Sequence, residues 1–360
     1  MADKSSISTF MSKSLEQLKL RDSREFHYEI DASDLVSESC CPMCDSVSLE
    51  TISDVSLIDG IRFFETSVCT SCCFVFRSLF PGFAWFKDRW AQISTQSGDV
   101  FNPQLEDDRR VRYSAYLDLL VPHVIPGGRV LDIGGGYGTG LSVFQDAGFK
   151  AELLEPEDDR IFYAKTELGL TTHHTVLEEF EPDGTYDLIL WSHNLEHVDG
   201  PRASFERVAS LLTPDTGILY VEVPLARNII DWSDSLFMAH KSNFAEGHLK
   251  KMLRSNNLSP IHRWYPKLNS PIFEDIGIVA RAISSADSAI ELLEEETDEA
   301  RLDEIHQRYL RMMPCDLPDR TPRPLHFEVP FINQFYTTVR YTDGRFECDA
   351  NTGCIRFVAP

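Results

Sequence analysis

Residues 129–140 read RVLDIGGGYGTG. An apolar run, RVLDI, leads into a loop that carries glycine at 134, 135, 136, 138 and 140. The first residues suit a buried strand, and residues 138–147 suit a helix. Glycine reaches positive φ without penalty and lets a ligand approach the backbone closely. A helix that starts here also offers unpaired N–H groups. The stretch is therefore read as strand, ligand-binding turn and helix, the first unit of an α/β fold.

Outward from this unit, strands and helices alternate from residue 128 to about 283. AELLEP is a second strand, with a helix over 157–167. HHTV is a short third strand and YDLILWS a strongly apolar fourth. A helix over 200–212, the strand GILYVEVP and a helix in NFAEGHLKKMLRSNN follow. Residues 258–266 and 272–283 suit a closing pair of strands. Such alternation specifies a largely parallel sheet with helices on both faces.

A glycine loop alone also suits a dinucleotide pyrophosphate. The second strand says more, because it ends at Glu155, 23 positions after Asp132. A carboxylate there can accept hydrogen bonds from both hydroxyls of an adenosine ribose. NAD and S-adenosylmethionine both carry that ribose.

Taken together, VLDIGGGYGTG, LLEPE and YDLILWSHNLEHVDGP resemble the class I S-adenosylmethionine-dependent methyltransferases over about residues 128–260. The resemblance implies a Rossmann-like seven-stranded sheet and a set of roles. Gly134, Gly136 and Gly138, with Gly135 between them, would line the amino-acid end of the cofactor. Asp132 would orient that loop. Glu155 would grip the ribose, with Pro156 and Glu157 beside the adenine. Val176 and Leu177 fall at the adenine edge, where many relatives have an Asp in the Val176 position. Ser192, His193 and Asn194 fall where the fourth strand meets the methionine portion and the acceptor.

Methyl transfer needs a nucleophile placed behind the methyl group, and a base where that nucleophile holds its proton tightly. His193 and His240 are the candidate base or acceptor contacts, with Asn194 beside them. By the same resemblance, His197 would support its loop. A further possibility is a divalent metal at His193, Glu196 and His197, whose spacing is i, i+3, i+4. Ubiquinone-type O-methyltransferases place Glu, Glu and His there.

Nine cysteines include a C-x2-C-x24-C-x2-C pattern through Cys41, Cys44, Cys69 and Cys72. Two such knuckles can close a tetrahedron of thiolates around zinc. The intervening SLETISDVSLIDGIRFFETSV, with its Asp59-Gly60 turn signal, suits a hairpin. A redox C-x-x-C is the other reading, weakened by the second copy and by the lack of a thioredoxin-like surround. Cys73 stands where such ribbons often have glycine, and Cys40 is expected to point away. Cys315, Cys348 and Cys354 show no ligand spacing. A closed four-thiolate site has no open position and should stabilise rather than catalyse.

An N-terminal zinc ribbon before a methyltransferase core is similar to the zinc-binding sugar C-methyltransferases. Those proteins carry Tyr-His-Glu-His after the fifth strand. Here the segment is Phe237-Met238-Ala239-His240, so only the last His is kept and an oxygen or nitrogen acceptor is favoured. The resemblance also places Trp85, Arg89 and Trp90 at a cleft, although simple packing would account for them.

Composition bounds the rest. Of 360 residues, 57 are Asp or Glu and 34 Lys or Arg, giving a formal charge of −23. Such a surface repels nucleic acid. No stretch reaches the ~18 apolar residues of a membrane span and none reads as a signal peptide. A cytoplasmic protein, a monomer or homodimer acting on a small-molecule acceptor, is expected. The expected order is a polar lead-in (1–34), a zinc ribbon (35–83), a helical connector (84–127), the methyltransferase domain (128–283) and an α+β extension (284–360). Within the connector, Val111, Tyr113, Tyr116, Leu117, Leu119 and Leu120 share helical spacing. The extension begins with an acidic helix over 284–312. It continues with a hairpin in 325–358, whose turn is expected at Asp343-Gly344.

Overall fold

A seven-stranded sheet is built from strands between Arg129 and Ala282. The computed structural model describes residues 29–57, 60–87, 89, 101–225, 239–264, 266, 275–283, 325–329, 345–348 and 354–358. Most of the lead-in, Trp90, the acidic helix over 284–312 and Cys315 lie outside these residues.

Strands in chain order are β1 (Leu35–Ser37), β2 (Leu49–Leu57), β3 (Arg62–Cys69) and β4 (Val75–Pro81). Helices α1 (Phe83–Lys87) and α2 (Pro103–Leu120) follow. Then come β5 (Arg129–Ile133), α3 (Ser142–Asp146), β6 (Lys150–Leu154), α4 (Asp158–Thr166), β7 (Thr171–His173) and β8 (Leu188–Ser192). Next are α5 (Pro201–Ser210), β9 (Ile218–Pro224), β10 (Ser242–Asn243), α6 (Glu246–Ser255), β11 (Leu258–Trp264) and β12 (Asp275–Ala282). The last strands are β13 (Leu325–Val329), β14 (Arg345–Cys348) and β15 (Cys354–Val358).

The large sheet runs β7-β6-β5-β8-β9-β12-β11. Neighbours from β7 to β9 are parallel, and β12 runs antiparallel to both β9 and β11. Burial on both faces explains the unbroken apolar LILW of β8, whose four residues are all buried. One face is covered by α2, α3 and α4 through Tyr113, Tyr116, Leu120, Phe144 and Ala164. The other is covered by α5 and α6 through Phe205, Val208, Leu249 and Met252.

The order reverses at β5, so the carboxyl ends of β5, β6 and β8 open a crevice there, where ligands bind in such sheets. Three local readings change. The first helix is α3, shorter than 138–147, because its start is given to turns. A Cβ at Gly140 would stand 2.5 Å from the Tyr113 ring, so that turn packs directly on α2. The third strand is Thr171–His173 rather than HHTV. Pairing ends where the Glu155 N–H meets the His173 carbonyl at 3.2 Å, and His174 turns outward. On α2, Val111 is exposed, so the buried stripe passes through Tyr113, Tyr116 and Leu120 without it.

The second sheet is built on the cysteine-bearing region. Strands β2, β3 and β4 form an antiparallel meander, and Gly60 takes a φ of 94° in the turn after β2. The sheet order is β1-β4-β3-β2-β13-β15-β14, with β10 also pairing β4. The C-terminal strands thus complete the N-terminal sheet: β13 lies parallel to β2, and His326 Nδ1 is 2.6 Å from Asp54 Oδ2. β14 and β15 are the expected antiparallel pair. Their connection falls in 349–353, and residues 343–344 lie outside the described residues.

Candidate active site

The glycine loop leaves β5 with positive φ at Gly134 (72°) and Gly136 (61°). A Cβ at Gly134 would come within 2.6 Å of Asn194 Nδ2. At Gly136, by contrast, the nearest atoms would be the guanidinium nitrogens of Arg109 at 3.4 Å and Arg160 at 3.8 Å, an ordinary van der Waals contact with flexible side chains. The Gly136 N–H donates to Glu155 Oε2 at 3.1 Å, and the Glu157 N–H donates to Oε1 at 3.2 Å. Arg160 Nη1 approaches the same carboxylate at 3.6 Å. Glu155 therefore stands at the end of β6, buried, facing the loop. Gly138 faces inward, where a Cβ would meet Leu170 Cδ1 at 2.6 Å, so it serves helix–strand packing as well as the turn.

Asp132 is buried beneath the loop. Its Oδ2 accepts from Tyr113 OH at 2.9 Å, and a Cβ at Gly135 would lie only 2.2 Å from that oxygen. Burial pushes the Asp132 carboxyl up to about 7. Pro156 follows Glu155 and accepts from His174 Nε2 at 3.0 Å through its carbonyl. Glu157 stands at the N-cap position of α4 and its side chain pairs with Arg160 at 3.1 Å. Val176 and Leu177 are buried nearby and present apolar surface.

The end of β8 carries Ser192, His193 and Asn194. His193 adopts a φ of 51°, an unusual conformation for a residue with a Cβ. Its N–H donates to the Glu222 carbonyl at 2.9 Å, and Nε2 donates to Glu222 Oε1 at 3.0 Å. Asp275 Oδ2 is 3.3 Å from the same nitrogen, and Glu196 Oε1 is 3.7 Å from Nδ1. Burial alone would discharge the ring. The carboxylates of Asp275, Glu196 and Glu222 outweigh it and hold His193 well above its ordinary value.

Glu222 is wholly buried and accepts from Tyr116 OH at 2.9 Å and from Tyr220 OH. Arg112 Nη1 lies 3.8 Å away. Ser192 Oγ joins through Tyr116 OH at 3.2 Å. Asn194 turns from this group: its Oδ1 accepts from Trp191 Nε1 at 2.9 Å, and its amide presses on Gly134.

The spacing His193, Glu196, His197 does not gather around one point. His193 belongs with Glu222 and Asp275, whereas Glu196 and His197 meet His240. The reason is the left-handed turn at His193 and the short 3-10 helix Leu195–His197 that follows it. The His197 and His240 rings lie 5.0 Å apart, centroid to centroid. The partly buried His197 ring is lowered to about 4, by burial first, with His240 and Lys241 acting in the same direction against Glu196. Burial opposes the charge on Glu196, but His193, His197 and His240 lower its carboxyl to about 2.

His240 is placed by the N-terminal sheet. β10 pairs β4 two residues later, and the Arg77 Nε–H donates to the His240 carbonyl at 3.0 Å. Trp85, proposed above for a cleft, is buried and donates to the Glu29 carbonyl at 3.0 Å, with Arg89 stacked on its ring. It is a packing residue.

The four cysteine sulfurs of 41, 44, 69 and 72 lie within 4.8 Å of one another. Cys41–Cys72 and Cys44–Cys69 are each 3.6 Å apart. Sulfurs about 2.3 Å from a tetrahedral ion stand about 3.8 Å apart, so the spacing suits one ion. A hydrogen bond from Cys41 lowers the Cys72 thiol to about 5, while burial raises Cys44 to about 11. Cys73 is buried at a φ of 56°, the conformation glycine would favour. Cys40 lies outside the cluster, half-buried.

Residues 105–263 match the family model described as a methyltransferase domain. That stretch is a methyltransferase domain. Its sheet order and glycine loop are those described above. No curated protein sequence matches the chain. Among solved structures, it is similar to the 1,6-didemethyltoxoflavin-N1-methyltransferase of Burkholderia thailandensis, at 17% identity over 55% of this chain and 88% of that one, TM-score 0.44. It is similar to the magnesium protoporphyrin IX methyltransferase of Synechocystis at 18% identity over 55% and 97%, TM-score 0.43. A third is the N-methyltransferase NodS of Bradyrhizobium japonicum, at 16% identity over 48% and 86%, TM-score 0.40.

The methyltransferase crevice also contains groups that the motif reading did not single out. Arg112, Tyr116 and Tyr220 come from three elements and meet only around Glu222. Asp275 opens β12, opposite Pro224 of β9. No local spacing marks them; a buried acid in the GILYVEVP strand was the one available signal, since a lone carboxylate there needs partners. No described helix is long and apolar enough to cross a membrane.

Proposed function

We propose that the enzyme transfers the methyl group of S-adenosylmethionine to an oxygen or nitrogen of a sugar, a nucleotide sugar or a natural-product intermediate. The observation that carries this reading is Glu155 facing the glycine loop, with the Gly136 N–H on its carboxylate. The cofactor supplies an electrophilic methyl on a sulfonium. Gly134, Gly135 and Gly136 would hold its amino-acid end, and Glu155 the ribose hydroxyls. Pro156, Glu157, Val176 and Leu177 would border the adenine. Val176 has no polar atom in its side chain, so polar recognition of the adenine edge falls to backbone groups.

At the acceptor end, Asn194 fixes the loop through Gly134, and Ser192 continues the Glu222 network. His193 donates to Glu222 and so orients that carboxylate. His240 is then the candidate base or acceptor contact. The residues beside it do not support the sugar C-methyltransferase chemistry: Ala239 has no acid, and its carbonyl serves His197. Zinc on Cys41, Cys44, Cys69 and Cys72 would be structural, since four thiolates leave no open position.

Calorimetry with S-adenosylhomocysteine tests the cofactor site. Wild-type protein should bind it, and Glu155→Ala should weaken binding at least about tenfold, the loss of charged hydrogen bonds to two hydroxyls. No binding by the wild type overturns the reading. Cofactor binding without turnover on any acceptor class would favour a non-catalytic binding protein.

A further inference from the structure

We propose that Glu196, His197 and His240 form a second metal site, distinct from the cysteines, for a divalent first-row ion with one position left open. The ligand atoms of the three residues lie within 4.8 Å of one another. The decisive feature is the proton on His197. Its Nδ1 is 2.8 Å from the Ala239 carbonyl oxygen, which can only accept. Nδ1 therefore carries the hydrogen and Nε2 presents a lone pair. That lone pair faces Glu196 Oε1 at 3.8 Å.

Both Glu196 oxygens are buried and make no hydrogen bond. The His193 ring is near, but at 3.7 Å it is beyond hydrogen-bond reach. The Glu196 carboxylate thus stands buried without a hydrogen-bond partner, an arrangement that is costly. A cation held between it and the His197 ring would offset that cost. Ligand atoms about 2.1 Å from one ion are at most about 4.2 Å apart, so 3.8 Å fits and the widest pair closes with a small side-chain rotation. A backbone carbonyl on the far nitrogen of a ligating histidine is the usual device for fixing its tautomer.

Two nitrogens and one carboxylate suit manganese, iron, cobalt or zinc. Three protein ligands leave a position for water or an acceptor oxygen, as in catalytic rather than structural sites. The His197 side chain is 36% exposed, so that position can be reached. The Lys241 N–H donates to the Glu196 carbonyl at 2.8 Å and holds the two ligand-bearing segments together. The acceptor-facing role rests on the methyl-transfer reading; with an ion present, His240 acts as a ligand and the ion lowers the pKa of the bound oxygen.

Manganese(II) avoids thiolates, so zinc-loaded full-length protein can be titrated with it while the free-ion EPR signal is followed. One saturable site per chain is expected. Glu196→Gln and His240→Gln should each weaken it at least about tenfold, with thermal melting to show that the variants are folded. Should Glu196→Gln melt early, His240→Gln carries the test, because that ring sits on a partly exposed segment. Asp275→Asn, in the neighbouring carboxylate group, should leave the site unchanged. Absence of saturable binding in the wild type, or binding undiminished in both ligand variants, overturns the site. Loss of binding in Asp275→Asn alone also overturns it, by moving the ion to the other group. Failure of S-adenosylhomocysteine to bind the same sample would bear on the methyl-transfer reading and leave the ion site standing.

Discussion

Asp132 shows how a single buried carboxyl is coupled to the cofactor loop. Its fold environment raises it to about 7 from an ordinary 3.8, through burial that the Tyr113 hydrogen bond only partly offsets. The folded site therefore binds its proton more tightly than the unfolded chain does. Charging it is without cost below about pH 4, grows costly as pH rises towards 7, and is fully costly above that. Over about 3 pH units, with about 1.4 kcal/mol per unit, the burden reaches roughly 4 kcal/mol. Asp132→Asn is free of it. The melting temperature of the variant minus that of wild type should rise between pH 5 and 7, then level off. A difference that stays flat across this range would mean the carboxyl is already ionised in the fold.

Asp132, the glycines and Glu155 were legible in the sequence because they are close in the chain and have fixed offsets from a strand. Asp275, Arg112 and Tyr220 were not, because only the folded sheet brings them to Glu222. His193 was legible as a position but not as a charge state. Three carboxylates from three elements set that state, and a linear motif shows only one of them.

At the scale of elements, the knuckles are joined to the segment that carries His240. β4 pairs β3 on one edge and β10 on the other. Met43, Cys69, Phe74 and Phe76 share a core with Phe244, Leu249 and Met252. His248 of α6 lies 2.9 Å from the Cys72 carbonyl, to which its Nε2 donates. If a structural zinc holds the knuckles, Cys69→Ser should unravel β2 to β4, since such sites contribute most of the folding energy of a small ribbon. Amide exchange should then speed at least about tenfold at Val75–Pro81 and also at Ser242–Asn243, whose only ladder partner among the described residues is β4. Exchange within β5 and β8 should stay slow. Protection that persists at 242–243 would disconnect the ribbon from the active-site segment. The hairpin between the knuckles was legible from its spacing and turn residues. The joining of β13 to β2, some 270 residues apart, was not, because strand pairing over that distance leaves no local pattern.

Across the whole molecule, the two sheets share one hydrophobic core, and Arg77 ties the N-terminal sheet to the segment that carries His240. It is almost fully buried, its guanidinium lies 4.4 Å over the Phe64 ring, and it donates to Thr66 Oγ1 and to the His240 carbonyl. Asp45 and Arg202 add a two-pronged ion pair at 2.6 and 2.7 Å, but it is exposed and contributes little. Arg77 is different because a planar fork serves three partners at once, and a lysine has no such geometry. Arg77→Lys should therefore lower stability by roughly 1–3 kcal/mol through lost and unpaired hydrogen bonds. It should also shift the His240 ring signals in a histidine-labelled NMR spectrum, because the carbonyl that fixes its backbone is released. His173, paired with Glu152 at 2.9 Å on the far side of the large sheet, should not move. Affinity for S-adenosylhomocysteine should stay within about twofold, since Glu155 and the glycine loop do not touch Arg77. Unmoved His240 signals in a destabilised variant would show that the ribbon supports the fold without positioning the active-site segment.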